Sequence, residues 1–149
     1  MLKQNWISST YTDLNLSIDS PDALYRSPDS TINKLTFISS NKNLEINLIT
    51  KPIDENSDLS NELINDFKER NFINVITKNE DFQTLDGDKG VKIFGSFDDQ
   101  NLNRKKDYST ILFVVNKLSI KLEIIFERGN ANLQKIVDRV INSLKFNKQ

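Results

Sequence analysis

The sequence predicts an α+β fold, an antiparallel β-sheet covered by two or more helices, and three features predict it. Ile111 to Val115 and Leu118 to Phe126 are β-rich runs separated by Asn116-Lys117 alone. After Gly129-Asn130, residues Leu133, Ile136, Val137, Val140, Ile141 and Leu144 recur as one apolar helical stripe. A second stripe, Leu59, Leu63, Ile64 and Phe67, lies mid-chain, and each helix requires a sheet to bury it.

The chain has 149 residues, 37% hydrophobic and 28% charged, which is enough to bury a core and reads as one domain spanning 1–149. Twenty basic against 21 acidic side chains leave a net charge of -1, so no global field favours nucleic acid or an anionic membrane. With no Cys there are no disulfides, thiolate metal sites or thiol nucleophiles, and with no His the usual neutral-pH base and Ser-His or Cys-His pairs are excluded. Gly87, Gly90 and Gly95 do not form a phosphate-cradling loop. No segment approaches membrane-spanning length and the N-terminus lacks the apolar run of a signal peptide, so the chain as written reads as cytoplasmic. A removed leader would make it exported or periplasmic instead.

In order along the chain, Leu14 to Ile18 alternates as a strand, and Pro21 and Pro28, with Asp22, Asp29 and Ser30, break it into a loop. Trp6 and Tyr11 upstream read as aromatics packing over the edge of a core. Lys34–Ile38 and Leu44–Thr50 flank a polar turn and read as a hairpin, with Ile49 hinting at cover on both faces and Pro52 ending the pairing. The mid-chain helix spans Asn61 to Asn71, with Ser57 or Asp58 as N-cap and Phe72 a further member of its stripe. Val75–Lys78 and Asp81–Leu85 read as two short strands turned at Asn79-Glu80-Asp81. Asp86-Gly87 is a turn opening the strand Val91–Phe97, in which Gly95 marks a bulge.

Asp98 to Asp107, the most polar stretch, is expected to be an exposed, mobile loop. Within it Arg104, Lys105 and Lys106 stand beside Asp98 and Asp99, and these five residues are the candidate partner contacts. In the closing unit Leu118, Ile120, Leu122, Ile124 and Phe126 alternate with Ser119, Lys121, Glu123, Ile125 and Glu127, leaving Ile125 without an inward place. Asn130 caps the last helix, where a charge at Val140 is expected to unfold the domain.

Several of these features together resemble the PsbP-like superfamily. They are the N-terminal aromatic segment, a strand ending Ser20-Pro21, the amphipathic mid-chain helix, the turn Gly87-Asp88-Lys89-Gly90 and the final Val140-Ile141-Asn142-Ser143-Leu144-Lys145-Phe146. That superfamily also holds the yeast Ran-binding import factor and bacterial DcrB-type proteins. The resemblance implies an α/β/α sandwich and a non-enzymatic role built on protein contacts. It carries over no functional residue.

The function expected is therefore a non-catalytic protein-binding domain, an adaptor, chaperone or immunity-type partner, with a protein partner and no cofactor, no nucleic acid and no membrane insertion. The site expected is the open sheet face or the Asp98–Asp107 loop. Second is an exported accessory or lipoprotein-derived domain holding a small ligand or calcium, the latter between Asp86, Asp88, Asp98 and Asp99, although Asp86-Gly87-Asp88 lacks EF-hand spacing. Third is a hydrolase working with a carboxylate pair, the class that an inventory of Asp, Glu, Lys and Tyr allows.

Overall fold

A computed structural model describes residues 5–11, 14–28, 30–31, 33–52, 59–115 and 117–146. A seven-stranded sheet takes the order β3-β4-β5-β9-β8-β7-β6, and a three-stranded sheet the order β1-β2-β10. The strands are β1 (Trp6–Tyr11), β2 (Leu16–Pro21), β3 (Tyr25–Arg26), β4 (Lys34–Ile38), β5 (Leu44–Pro52), β6 (Phe72–Gln83), β7 (Lys89–Asp99), β8 (Arg104–Val115), β9 (Leu118–Glu127) and β10 (Lys145–Phe146). Helix α1 (Leu59–Glu69) precedes β6, and α2 (Ala131–Asn142) lies between β9 and β10. Every pairing is antiparallel, so the α+β class holds. The helices cover only part of the large sheet.

Alternation along β5, β8 and β9 divides the core between the two faces of that sheet. On one face Leu44, Ile46, Leu48, Ile111, Phe113, Ile120, Leu122, Ile124 and Phe126 pack under Val137, Val140, Ile141 and Leu144, with Leu16 and Ile18 of the small sheet. Each of these side chains of α2 and its C-terminal end contributes about 1.5–3 kcal/mol by burial. The helix starts where Asn130 Oδ1 accepts from Leu133 N–H at 3.0 Å. Its far end is tied to β2, since Ser143 Oγ accepts from Asp19 N–H at 2.8 Å. Arg139 sits 3.9 Å over the ring of Trp6, which packs with Tyr11 against this core.

On the other face Leu63 and Phe67 of α1 bury against Phe72, Ile93, Phe97, Tyr108, Leu112 and Ile125. Phe72 stacks on Phe97 at 4.0 Å, and Phe67 meets Tyr108 edge-on at 5.0 Å. Ile125, left over in the sequence, has its place here at the edge of the part of the second face that α1 covers.

Several expectations are corrected. Asn79-Glu80-Asp81 is not a turn; it lies inside the continuous strand β6, whose edge position tolerates polar side chains on both faces. Phe72 begins that strand rather than closing the helix stripe, because Asn71 at φ 61° turns the chain out of α1. Pro21 is the last residue of β2, opposite Trp6, and the expected loop after it contains β3. The N-terminal aromatics form a strand of their own, β1. The turn residue Asn116, the caps Ser57 and Asp58, and Asp29 lie outside the described residues.

The bulge expected near Gly95 falls on the facing strand, where the β6–β7 register shifts between Ile73 and Ile76 and Asn74 takes φ 54°. A Cβ on Gly95 would overlap the Ile76 carbonyl oxygen. Tyr108, paired with Gly95 across the strands, lies over this bare position. Its hydroxyl donates to that carbonyl at 3.1 Å and stands 2.9 Å from Thr77 Oγ1.

Candidate binding cleft

The stretch expected to be a mobile loop is mostly strand, because Asp98 and Asp99 end β7 and Arg104 to Lys106 begin β8, leaving a turn of four residues. The physical reason is that cross-strand pairing and local polar contacts satisfy these charges. Asp99 is buried, and its Oδ1 accepts from the N–H groups of Asn101 and Leu102 at 3.0 and 3.3 Å, which closes the turn. Lys106, 2% exposed, donates from Nζ to the Lys42 carbonyl at 2.9 Å. Arg104 donates from Nη1 to the Asn41 carbonyl at 3.1 Å. The two β8 cations thereby hold the β4–β5 turn against the β7–β8 turn.

Alternation sends Asp98 and Lys105 to the opposite face of the sheet. There Asp98 accepts from Asn74 Nδ2 at 2.8 Å and pairs with Arg128 at 3.2 Å. The Asn74 amide first, and then Arg128, hold its carboxyl below the usual carboxylate range. Of the five expected contacts, Asp99 and Lys106 meet at one cleft, Arg104 braces its rim, and Asp98 and Lys105 lie elsewhere.

That cleft, about 370 Å³, opens on the sheet face beyond the end of α1. Ile38, Phe72 and Ile125 form its apolar floor, and Arg70, Glu45, Asp99 and Lys106 its charged walls. Helix α1 is shorter than the strands it crosses, and Arg70, immediately past its end, folds back over the uncovered sheet. Arg70 Nη1 donates to Asp66 Oδ2 at 3.0 Å and to Glu123 Oε1 at 2.9 Å, and Nη2 to Glu45 Oε2 at 3.4 Å. Its guanidinium lies 4.8 Å over the Phe72 ring. Burial opposes the charge, but Glu123 and Asp66 more than offset it, so the Arg70 pKa stands above its ordinary value.

Glu123 is wholly buried in the middle of β9. Asn47 Nδ2 donates to Glu123 Oε1 at 3.0 Å and to Glu45 Oε2 at 2.8 Å, while Asn47 Oδ1 accepts from Thr36 Oγ1 at 2.7 Å. The second oxygen, Glu123 Oε2, makes no hydrogen bond among the described residues and has Lys121 Nζ at 3.9 Å. A buried carboxylate in this arrangement depends on Arg70 for its neutralisation. Burial, followed by Arg104, holds the Lys106 ammonium below the ordinary lysine pKa.

Sequence reasoning missed Arg70, Glu45, Asn47 and Glu123, which lie far apart in the chain. The available signal was a glutamate sharing its strand register with Ile125, two residues away. The four aspartates considered for calcium do not converge. Asp86 and Asp88 sit at the β6–β7 turn and Asp98 and Asp99 at the other end of β7, roughly 30 Å apart at about 3.3 Å per residue. Among the described residues no three acidic side chains form a cation site. Nor is any helix among them long and apolar enough to cross a membrane.

Neither a family model nor a curated protein matches the chain. Solved structures do. The Ran-binding protein Mog1p of Saccharomyces cerevisiae is similar with a TM-score of 0.61 at 11% identity, over 97% of this chain and 96% of that one. The cyanobacterial PsbP of Synechocystis sp. PCC 6803, CyanoP, gives 0.59 at 10% identity, over 98% and 95%. The chain thus has the Mog1/PsbP-like fold that its sequence resemblance implied.

Proposed function

We propose that the chain is a non-catalytic protein-binding domain whose partner surface is the cleft at the end of α1 together with the β7–β8 turn. One observation carries this reading. The cleft joins an apolar floor, and Leu102 exposed at its rim, to cationic side chains that reach solvent at Lys42 and Arg104. An apolar patch with a charged rim is the anatomy of a protein interface, and the sign of the rim fits an acidic partner segment. Beneath it Arg70 is engaged with Glu45, Asp66 and Glu123, while Asp99 and Lys106 bond to backbone groups. Glu123, the most deeply placed carboxylate, has no exposure through which to reach a substrate, which argues against the carboxylate-pair hydrolase. The Ran-binding description of Mog1p is consistent with protein contacts on this fold.

The test is site-specific photo-crosslinking in the cells that make the protein. A crosslinker at Leu102 is expected to capture a defined protein, and one at Leu85, exposed on the β6–β7 turn, to capture none. Reversing Arg104 and Lys42 to Glu should abolish capture at Leu102. Equal capture at both positions, or none at Leu102, would refute the assignment.

A further inference from the structure

We propose that the free edge of β6 is the seam of a homodimer, in which two copies join β6 to β6 antiparallel about a two-fold axis at Asn79. The two seven-stranded sheets then become one. This inference is independent of the cleft and its partner.

β6 is the last strand of its sheet and one of the longest at 12 residues, and Ile76 to Asp81 are all exposed. Its backbone phase follows from the β6–β7 turn. Thr84 N–H donates to the Asp88 carbonyl at 2.9 Å and Gly87 N–H to the Thr84 carbonyl at 3.0 Å, with Gly87 at φ +91°. This is a tight turn closed by a glycine bulge, and it makes Thr84 a hydrogen-bonded position. Alternation back along the strand turns the backbone groups of Phe82, Glu80, Lys78 and Ile76 toward β7. The Ile76 carbonyl, which crowds the Cβ position of Gly95 on β7, agrees with this phase. The N–H and C=O groups of Asp81, Asn79 and Thr77 consequently face solvent, unpaired by any strand of the sheet.

A strand added at this edge bonds to those odd-numbered residues. With the axis at Asn79, the backbone of Asn79 pairs with its own copy, and that of Thr77 with Asp81 of the second copy. The side chains then match twice over on the other face. Lys78 stands opposite the second copy's Glu80, and Ile76 opposite the second copy's Phe82. Moving the axis to residue 78 or 80 instead sets Lys78 or Glu80 against itself. Charged residues on an edge strand ordinarily discourage pairing. Here their order discourages neighbouring registers and favours this one, which is what identifies the occupant as a second copy of the chain.

The experiment is sedimentation of the whole chain from micromolar to millimolar concentration, with Lys78→Glu and Glu80→Lys variants checked for folding by circular dichroism. The parent is expected to dimerise and each variant to be monomeric. An equimolar mixture of the two variants should dimerise again, because an edge carrying two acidic side chains then meets one carrying two basic side chains. The chain has no cysteine, so Lys78→Cys and Glu80→Cys chains, mixed and oxidised, should form a disulfide-linked heterodimer. A parent that stays monomeric at millimolar concentration overturns the proposal and leaves an extended segment of another protein as the occupant. Variants that dimerise like the parent, or a mixture that stays monomeric, overturn it equally.

Discussion

Replacing Arg70 by Ala removes the cation that neutralises a fully buried carboxylate. Three contacts vanish together, at 2.9 Å to Glu123, 3.0 Å to Asp66 and 3.4 Å to Glu45. Asp66 and Glu45 reach solvent and rehydrate, but Glu123 has no exposure and keeps only Asn47 at 3.0 Å and Lys121 at 3.9 Å. Stranding a buried charge costs about 3–5 kcal/mol, whereas the exposed part of the network is worth about 0.2–1 kcal/mol. The buried pair decides the outcome. For a chain of this size the loss corresponds to roughly 6–20 °C in Tm. Glu123→Gln keeps an acceptor for Asn47 and Arg70 and removes the charge, so combining it with Arg70→Ala should recover at least about 1 kcal/mol of the single-variant loss as measured coupling. Urea unfolding of the four proteins, compared at constant m, measures the cycle. A loss below about 1 kcal/mol for Arg70→Ala, or strictly additive variants, would refute the view that Glu123 is held as a charged group by Arg70.

Other outcomes follow from single contacts. Gly95→Ala forces a Cβ against the Ile76 carbonyl and should destabilise the sheet by several kcal/mol, read as a lower urea midpoint with loss of the Asn74 bulge in amide exchange. Tyr108→Phe removes the hydroxyl contacts at 3.1 and 2.9 Å and should cost about 1–3 kcal/mol. Burial raises the Tyr108 pKa against the smaller opposing effect of Thr77. Its neutral form is therefore favoured by folding, and the stability it contributes is present below about pH 10 and declines above it; the Phe variant should flatten that alkaline decline in urea midpoints. For Asp98 the sign is opposite. Its depressed pKa contributes stability above about pH 4 that is lost as pH falls through the folded value, so Asp98→Asn should make the acid limb shallower. Val140→Asp places a carboxylate at a position with no exposure and should leave no cooperative thermal transition.

What the sequence made legible was whatever depends on period. The α2 stripe, the hairpin of β4 with β5 and the alternation of β9 are local patterns, and the structure reproduces them. Polarity was the poorer guide. Asn79-Glu80-Asp81 and Asp98–Asp107 carry the polar composition of breaks because their residues favour water. An edge strand keeps water on one side, and a hairpin end satisfies its charges by pairing across strands, so β6 and β8 run through them. Composition therefore reported solvent access correctly at β6 while misreporting backbone conformation. At Asp99 and Lys106 it misreported both.

The cleft was hidden for a different reason. Its members meet only because α1 is too short to cover the second sheet face, and helix length relative to a sheet is a tertiary quantity. Yet β9 carried a trace of it. Ser119, Glu123 and Ile125 share the face opposite the α2 core, and all three are buried. An isoleucine in the polar register of a strand means that the face is covered, and a glutamate two residues away must then be neutralised from the covering layer. α1 supplies the cover, and the residue just beyond its C-terminus supplies the cation. Ile125 and Glu123 together required a covering layer that carries a compensating cation, and only the fold shows that layer to be α1 with Arg70 just past its end.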